Sequence, residues 1–175
     1  MIPKRYPSEK YVFKKYSTNY TKLFLSEKRR LRKIFPKAII EHIGSSSVTG
    51  LGGKGIIDIA IAVPKKDLTA SIIKLQMIGY NYRPFGGDAE RKFFQKIIRY
   101  AGNERRVHIQ LTYENSRNWN SVIGVRDYLR GNPDAAEEYA QLKRRAVKYA
   151  KGESKKYREY KQRFLKVLEK KVLKN

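Results

Sequence analysis

The sequence predicts one α/β (α+β) domain over residues 1–175, a β-sheet flanked by helices with a helical C-terminal part. Three observations predict it. Residues 39–63 read as strand, small-residue loop, strand: Ile39-Ile40-Glu41-His42-Ile43 runs into Gly44, a Ser/Gly cluster follows, and the apolar run resumes at Ile56 and ends at Val63. Residues 91–113 read as a hairpin, and helical periodicity fills 18–35 and most of 116–173. At 175 residues the chain can bury a sizeable core. It has no cysteine, which excludes disulfides and thiolate metal sites. Its longest apolar run, around Ile56 to Val63, is too short to cross a bilayer and contains Asp58, so a cytoplasmic protein with no membrane partner is expected.

Taken in order, residues 1–16 form an arm in which Tyr6, Tyr11, Phe13 and Tyr16 alternate with basic residues, and such aromatics anchor an arm on its own domain or stack on bases. From Thr18 to Phe35, Tyr20, Leu23, Phe24, Leu31 and Ile34 share one helical face; Ser17, Thr18 or Asn19 caps the start and Pro36 stops the helix. After Val63 and Pro64, Asp67 caps a second helix with Leu68, Ile72, Leu75 and Met77 as its apolar residues, and Gly79 ends it. A short strand near Tyr80 to Arg83 and the loop Pro84-Phe85-Gly86-Gly87-Asp88 follow. In the hairpin, Ala101 to Glu104 is the turn, with positive φ expected at Gly102-Asn103. Val107, Ile109 and Leu111 alternate with His108, Gln110 and Thr112, so the second strand has an apolar face and a polar face able to line a site. Ser116 to Gly131 is helical, with Trp119, Val122, Ile123 and Leu129 expected inward. Asn132 and Pro133 open another helix with an Ala135, Tyr139, Leu142, Ala146, Tyr149 seam. Gly152 breaks it, and Lys155 to Leu173 forms the last helix with Tyr160, Phe164, Leu168 and Val172 on one face.

The formal net charge is +24 and sits at the two ends. Residues 1–37 hold 12 basic and 2 acidic residues, residues 141–175 hold 14 and 3, and the 103 residues between hold 14 and 11. The N-terminal segment and the basic helices of residues 133–175 therefore suit RNA or DNA, or simply form solvated lysine-rich faces.

The chemistry concentrates between Ile39 and Val63. Ser45, Ser46 and Ser47 with the surrounding glycines offer hydroxyls and backbone N–H groups to an anionic oxygen such as a phosphate. Asp58 stands alone in an apolar strand, where an unpaired buried carboxylate is costly; it must bond locally, meet a cation such as Lys54, or face a cleft. No Gly-Lys-Ser/Thr opens a helix, so a Walker A loop is absent, and no Gly-x-Ser-x-Gly elbow is present.

His42-Ile43-Gly44-Ser45-Ser46-Ser47-Val48-Thr49-Gly50-Leu51 and Lys54-Gly55-Ile56-Ile57-Asp58-Ile59 resemble the signature of the GrpB family, with Ser46 in place of a Thr and Thr49 and Gly55 in place of prolines. Val125-Arg126-Asp127-Tyr128-Leu129-Arg130 resembles a second family stretch, and the likeness covers roughly residues 17–170. It implies the nucleotidyltransferase fold of the DNA polymerase beta superfamily, a mixed sheet with flanking helices. It further implies metal-dependent nucleotidyl transfer to an unidentified acceptor, with Asp58 catalytic on Mg²⁺ and Gly44, Ser45, Ser46 and Lys54 on nucleotide phosphate. His108, as an imidazole suited to general-base work near neutral pH, is a second catalytic candidate from its own chemistry. The superfamily pattern places a second acidic residue where this chain has Ala60 and often a third on the strand that carries His108 and Gln110. That departure favours the alternative, a non-catalytic module binding a nucleotide, another phosphate-bearing small molecule or nucleic acid. His42, His108 and Gln110 are expected to open into the same cleft if their strands neighbour, and two imidazoles with Asp58 would also match a facial metal triad. Arg126 and Asp127 are expected to form a structural ion pair.

Overall fold

The computed structural model describes residues 13–173, and Tyr6 and Tyr11 of the expected arm lie outside them. Five strands form one mixed sheet in the order β1-β2-β5-β4-β3: β1 Ile39–Ile43, β2 Ile57–Val63, β3 Asn81–Tyr82, β4 Lys92–Tyr100 and β5 Asn103–Tyr113. β2 and β5 are parallel and the other three pairings are antiparallel. Five α-helices lie among the described residues: α1 Asn19–Ile34, α2 Leu68–Met77, α3 Arg117–Gly131, α4 Pro133–Ala150 and α5 Ser154–Val172.

Strand alternation divides the sheet into two unlike faces. Ile57, Ile59 and Ile61 of β2 and Val107, Ile109 and Leu111 of β5 point the same way and pack with Ile40, Phe94, the α1 residues Leu23, Phe24 and Leu31, and Leu75 of α2. This is the main core. Met77 lies 80% exposed; Ser71 takes its place on the buried side of α2 and donates to the Asp67 carbonyl at 2.8 Å, while the Asp67 side chain makes no cap bond. α1 buries one carboxylate, Glu27, which accepts a hydrogen bond from the Tyr80 hydroxyl at 2.8 Å and lies 3.6 Å from Arg30.

The opposite face carries Asp58, Ala60 and Ala62 on β2 and His108, Gln110 and Thr112 on β5. The three C-terminal helices stand on this side. Leu129 of α3, Ala136, Tyr139 and Ala140 of α4 and Leu168 of α5 pack with Val48 and Leu51 of the β1–β2 loop in a second cluster. The inward side of α3 is Ser121, Arg126 and Leu129, whereas Trp119, Val122 and Ile123 are only half-buried. On α4 the buried line runs through Ala136, Tyr139, Ala140, Lys143, Ala146 and Ala150, and Tyr149 is outside it. On α5, Tyr157 and Leu168 are buried and Tyr160 is exposed. These helices bury polar groups and expose aromatics because their shared face meets a polar loop and a polar sheet face.

The β4–β5 hairpin turns more tightly than expected: Ala101 and Gly102 both have positive φ, the two-residue primed geometry that matches strand twist, and Asn103 already belongs to β5. The loop Pro84–Gly86 is a single 3₁₀ turn. The end of the arm is pinned: Lys14 and Gly53 exchange backbone hydrogen bonds, and the Phe13 ring lies 4.9 Å from the Arg144 guanidinium.

Candidate functional site

The β1–β2 loop is built around Gly44. Its φ of +68° with ψ of −172° lies in a region essentially open only to glycine. A Cβ there would meet Asp58 Oδ2 at 2.6 Å, so the glycine also lets the loop lie directly against the carboxylate. Ser45–Ser47 then make one 3₁₀ turn. Ser47 Oγ donates to the Gly44 carbonyl at 2.6 Å, and Ser46 Oγ lies 3.0 Å from His42 Nε2. Of the three hydroxyls, Ser45 is the one that lines a cleft with Asp58.

That cleft, about 290 Å³, lies between the polar sheet face and α3, α4 and α5. Gly44, Ser45, Asp58 and Gln110 line it from the sheet side, joined by Arg91, by Asn118, Ser121 and Arg126 of α3, and by Lys161 and Glu169 of α5. Asp58 pairs in register with His108, placing both side chains on this face, and His108 Nδ1 is 3.3 Å from Asp58 Oδ1. Three buried polar atoms of cleft-lining residues make no hydrogen bond among the described residues, Arg91 Nε, Gln110 Oε1 and Asn118 Oδ1; His108 Nε2 makes none either, but His108 does not line the cleft. Buried polar atoms are normally satisfied, so three together mark a place where something else supplies donors or acceptors.

His42 and Ser46 are not part of this cleft. β2 separates β1 from β5, and His42 is in register with Ile59 of the apolar face. Its ring stacks on Phe24 of α1 at 4.6 Å, 5% exposed. Burial lowers the imidazole pKa to about 4; Asp58 opposes that shift, and Arg130 and Arg126 add to it. The two histidines and Asp58 therefore form no triad, and Ser46 is committed to His42. Lys54 does not line the cleft either: it is half-buried in a separate small hollow with Lys14 and Arg106, its ammonium 4.5 Å from the Tyr157 ring, with a pKa lowered to about 8 by burial against the pull of Asp58.

Arg126 does pair with Asp127, Nε to Oδ1 at 2.8 Å, and does more than that. Its Nη1 reaches Glu41 Oε2 at 2.6 Å and the His42 carbonyl at 3.1 Å. One turn later Arg130 donates twice to the Ser47 carbonyl, at 3.0 and 2.9 Å. The Arg-Asp-Tyr-Leu-Arg stretch thus clamps the serine loop from α3, Leu129 filling the gap between the two arginines against Val48 and Leu51. Lys143 of α4, 2% exposed, holds the other side of the loop through the Gly52 carbonyl, and burial lowers its pKa to about 7. Sequence spacing carried no signal for Arg91, Asn118, Lys143 or Lys161, because the segment before β4 and helices α3–α5 meet this region only through tertiary packing.

Mg²⁺ needs several oxygen ligands, and the strand positions beside Asp58 supply no second carboxylate; Glu169 of α5 is the other carboxylate in the cleft lining. Ala60 sits beside Asp58 on the same face, Gln110 is the next inward residue after His108, and Glu41 is engaged by Arg126. Among the described residues no three His, Asp or Glu side chains converge on a possible metal position.

Comparison with known proteins agrees with the fold. Structures similar to this chain include GrpB from Enterococcus faecalis, with a TM-score of 0.79 and 28% identity, covering 93% of this chain and 98% of that one. Cid1 poly(U) polymerase bound to MgGTP aligns at a TM-score of 0.54 and 15% identity over 77% of this chain and 44% of that one, a likeness of nucleotidyltransferase fold. UPF0157 protein YqkA of Bacillus subtilis is 35% identical over 143 residues, and the match spans 79% of this chain but only 40% of YqkA. The glutamate-rich protein GrpB of Alkalihalophilus pseudofirmus is 32% identical over 144 residues, 79% of this chain and 82% of that protein. Residues 11–171 match the family described as GrpB protein, and the chain belongs to that family.

Proposed function

We propose that the Asp58 cleft binds a nucleotide, or a small molecule of similar phosphate-and-hydroxyl chemistry, and that it does so as a binding pocket without a two-carboxylate metal centre. The observation carrying this reading is the group of buried polar atoms in the cleft lining that make no hydrogen bond, Gln110 Oε1, Asn118 Oδ1 and Arg91 Nε, in a lining that also holds Ser45 and Lys161. The two amide oxygens accept hydrogen bonds, as from a base amino group or a ribose hydroxyl. Ser45, the backbone beside Gly44, Lys161 and Arg91 suit a phosphate. Asp58, held between Gly44 and His108, accepts from a sugar hydroxyl. Metal-dependent transfer with Asp58 on the metal is the activity the resemblance implies, and His108 would serve it as a general base. It asks for a second carboxylate, and the chain has Ala60 at that position.

The test is calorimetric titration with ATP, GTP and UTP, in Mg²⁺ and in EDTA. At least one should bind with an affinity that changes less than about threefold on chelation. Gln110→Leu should weaken it about tenfold, the cost of removing one buried hydrogen bond. Binding that vanishes in EDTA, or no binding to any nucleotide, contradicts the proposal.

A further inference from the structure

The outer side of the α4–α5 pair carries a second concavity that the cleft does not use. Lys161, Leu165 and Glu169 of α5 face the Asp58 cleft, whereas Tyr160, Arg163, Phe164 and Lys166 of the same helix line a shallow groove of about 830 Å³ with Leu142 and Tyr149 of α4. Two tyrosines stand in it side by side. Tyr149 is 59% and Tyr160 37% exposed, with ring centroids 5.4 Å apart and planes tilted by 38°. Both miss the helices' buried lines, so core packing does not account for them. Arg163 and Lys166 line the groove and Arg145 lies on the same side of α4 as Leu142 and Tyr149, none of the three in a described ion pair; Glu159, the groove's one acidic lining residue, is 4.0 Å from Lys155.

We infer that this groove is a docking surface for single-stranded nucleic acid, with Tyr149 and Tyr160 as the platform on which bases stack and the cations following the backbone. Charge decides the occupant. Residues 141–175 hold 14 basic and 3 acidic residues, an excess that suits a polyanion and repels a second copy of the same helices. The paired aromatics decide the form: duplex bases are stacked on one another, and an exposed aromatic pair reaches only bases that are free. This inference is independent of what the Asp58 cleft holds, since the two surfaces lie on different sides of α5.

Fluorescence anisotropy with a labelled 12-nucleotide oligouridylate and a duplex of the same length tests it. Tyr149→Ala/Tyr160→Ala should weaken the single strand by at least about tenfold, through removal of two base–aromatic stacks. Tyr149→Phe/Tyr160→Phe should keep the affinity within about twofold, and the duplex should be unaffected by either. Arg163→Gln/Lys166→Gln should reduce the slope of log affinity against log salt by about 0.7 for each phosphate no longer neutralised, while the tyrosine variants leave the slope unchanged. Both tyrosines are exposed, so the variants should fold with wild-type circular dichroism. Unchanged single-strand affinity in the alanine variant overturns the inference, as does an equal loss in the phenylalanine variant. A change in sedimentation of the free protein on removing the tyrosines overturns it in favour of contact between copies.

Discussion

His42 and His108 show how one residue type is put to two uses by the parity of a strand. His108 points to the polar face, against Asp58; His42 points to the apolar face, stacked on Phe24 and bonded to Ser46. Burial as the neutral imidazole has a consequence for stability. The folded pKa of about 4 lies below the ordinary 6.5, so the unfolded chain takes up the proton first as pH falls. The contribution is complete above about pH 6.5, declines as pH falls, and is lost once pH passes about 4. Urea unfolding between pH 7 and 4 should show a decline of up to about 3 kcal/mol from this group, and His42→Gln should flatten it. An equal decline in the variant would place the acid sensitivity elsewhere. Both histidines, Asp58 and the serine loop stood out in the sequence as chemistry-bearing residues. Which of them meet did not, because it depends on β2 lying between β1 and β5 and on the register that pairs Asp58 with His108.

At the scale of elements, α3 is the part that fixes the loop. Arg126 is buried, and its guanidinium ties β1 to α3 through Glu41 and the His42 carbonyl while holding Asp127. Arg126→Leu leaves that carbonyl and Glu41 without their donor. It should cost about 2–4 kcal/mol in urea unfolding, whereas Asp127→Asn, which keeps the β1 contacts, should cost under about 1 kcal/mol because that carboxylate is 53% exposed. Similar losses for the two would show that the local pair, not the strand contact, holds α3. Most elements were legible from periodicity and from breakers: α1 from its apolar face up to Pro36, though its N-cap Thr18 makes no side-chain cap bond, β2 between its glycines and Pro64, α3 from Ser116, whose side chain accepts from Trp119 N–H. The inward faces of α3 and α4 were not. Hydrophobic spacing pointed to Trp119 and Tyr149, while the structure buries Arg126 against the Glu41 carboxylate and His42 carbonyl of β1, Lys143 against the Gly52 carbonyl, and Ser121 in the lining of the Asp58 cleft. An amphipathic pattern locates the buried stripe of a helix only where its partner is apolar.

For the whole molecule, the sheet separates two tasks. α1 and α2 close the apolar face into the main core, and the C-terminal helices close the polar face incompletely, leaving the Asp58 cleft. The fold is the one shared with nucleotidyltransferases, and Ala60 is the β2 residue next to Asp58 on the polar face. No helix among the described residues is long and apolar enough to cross a membrane. The most direct test of the central claim is a crystal structure of the protein soaked with Mg²⁺ and the nucleotide that binds in calorimetry. Phosphate oxygens should lie on Ser45 and the Gly44 backbone, base or ribose donors on Gln110 and Asn118, with no cation held jointly by Asp58 and a second carboxylate. A Mg²⁺ ion bridging Asp58, another protein carboxylate and the phosphates, or a nucleotide bound away from this cleft, would contradict it.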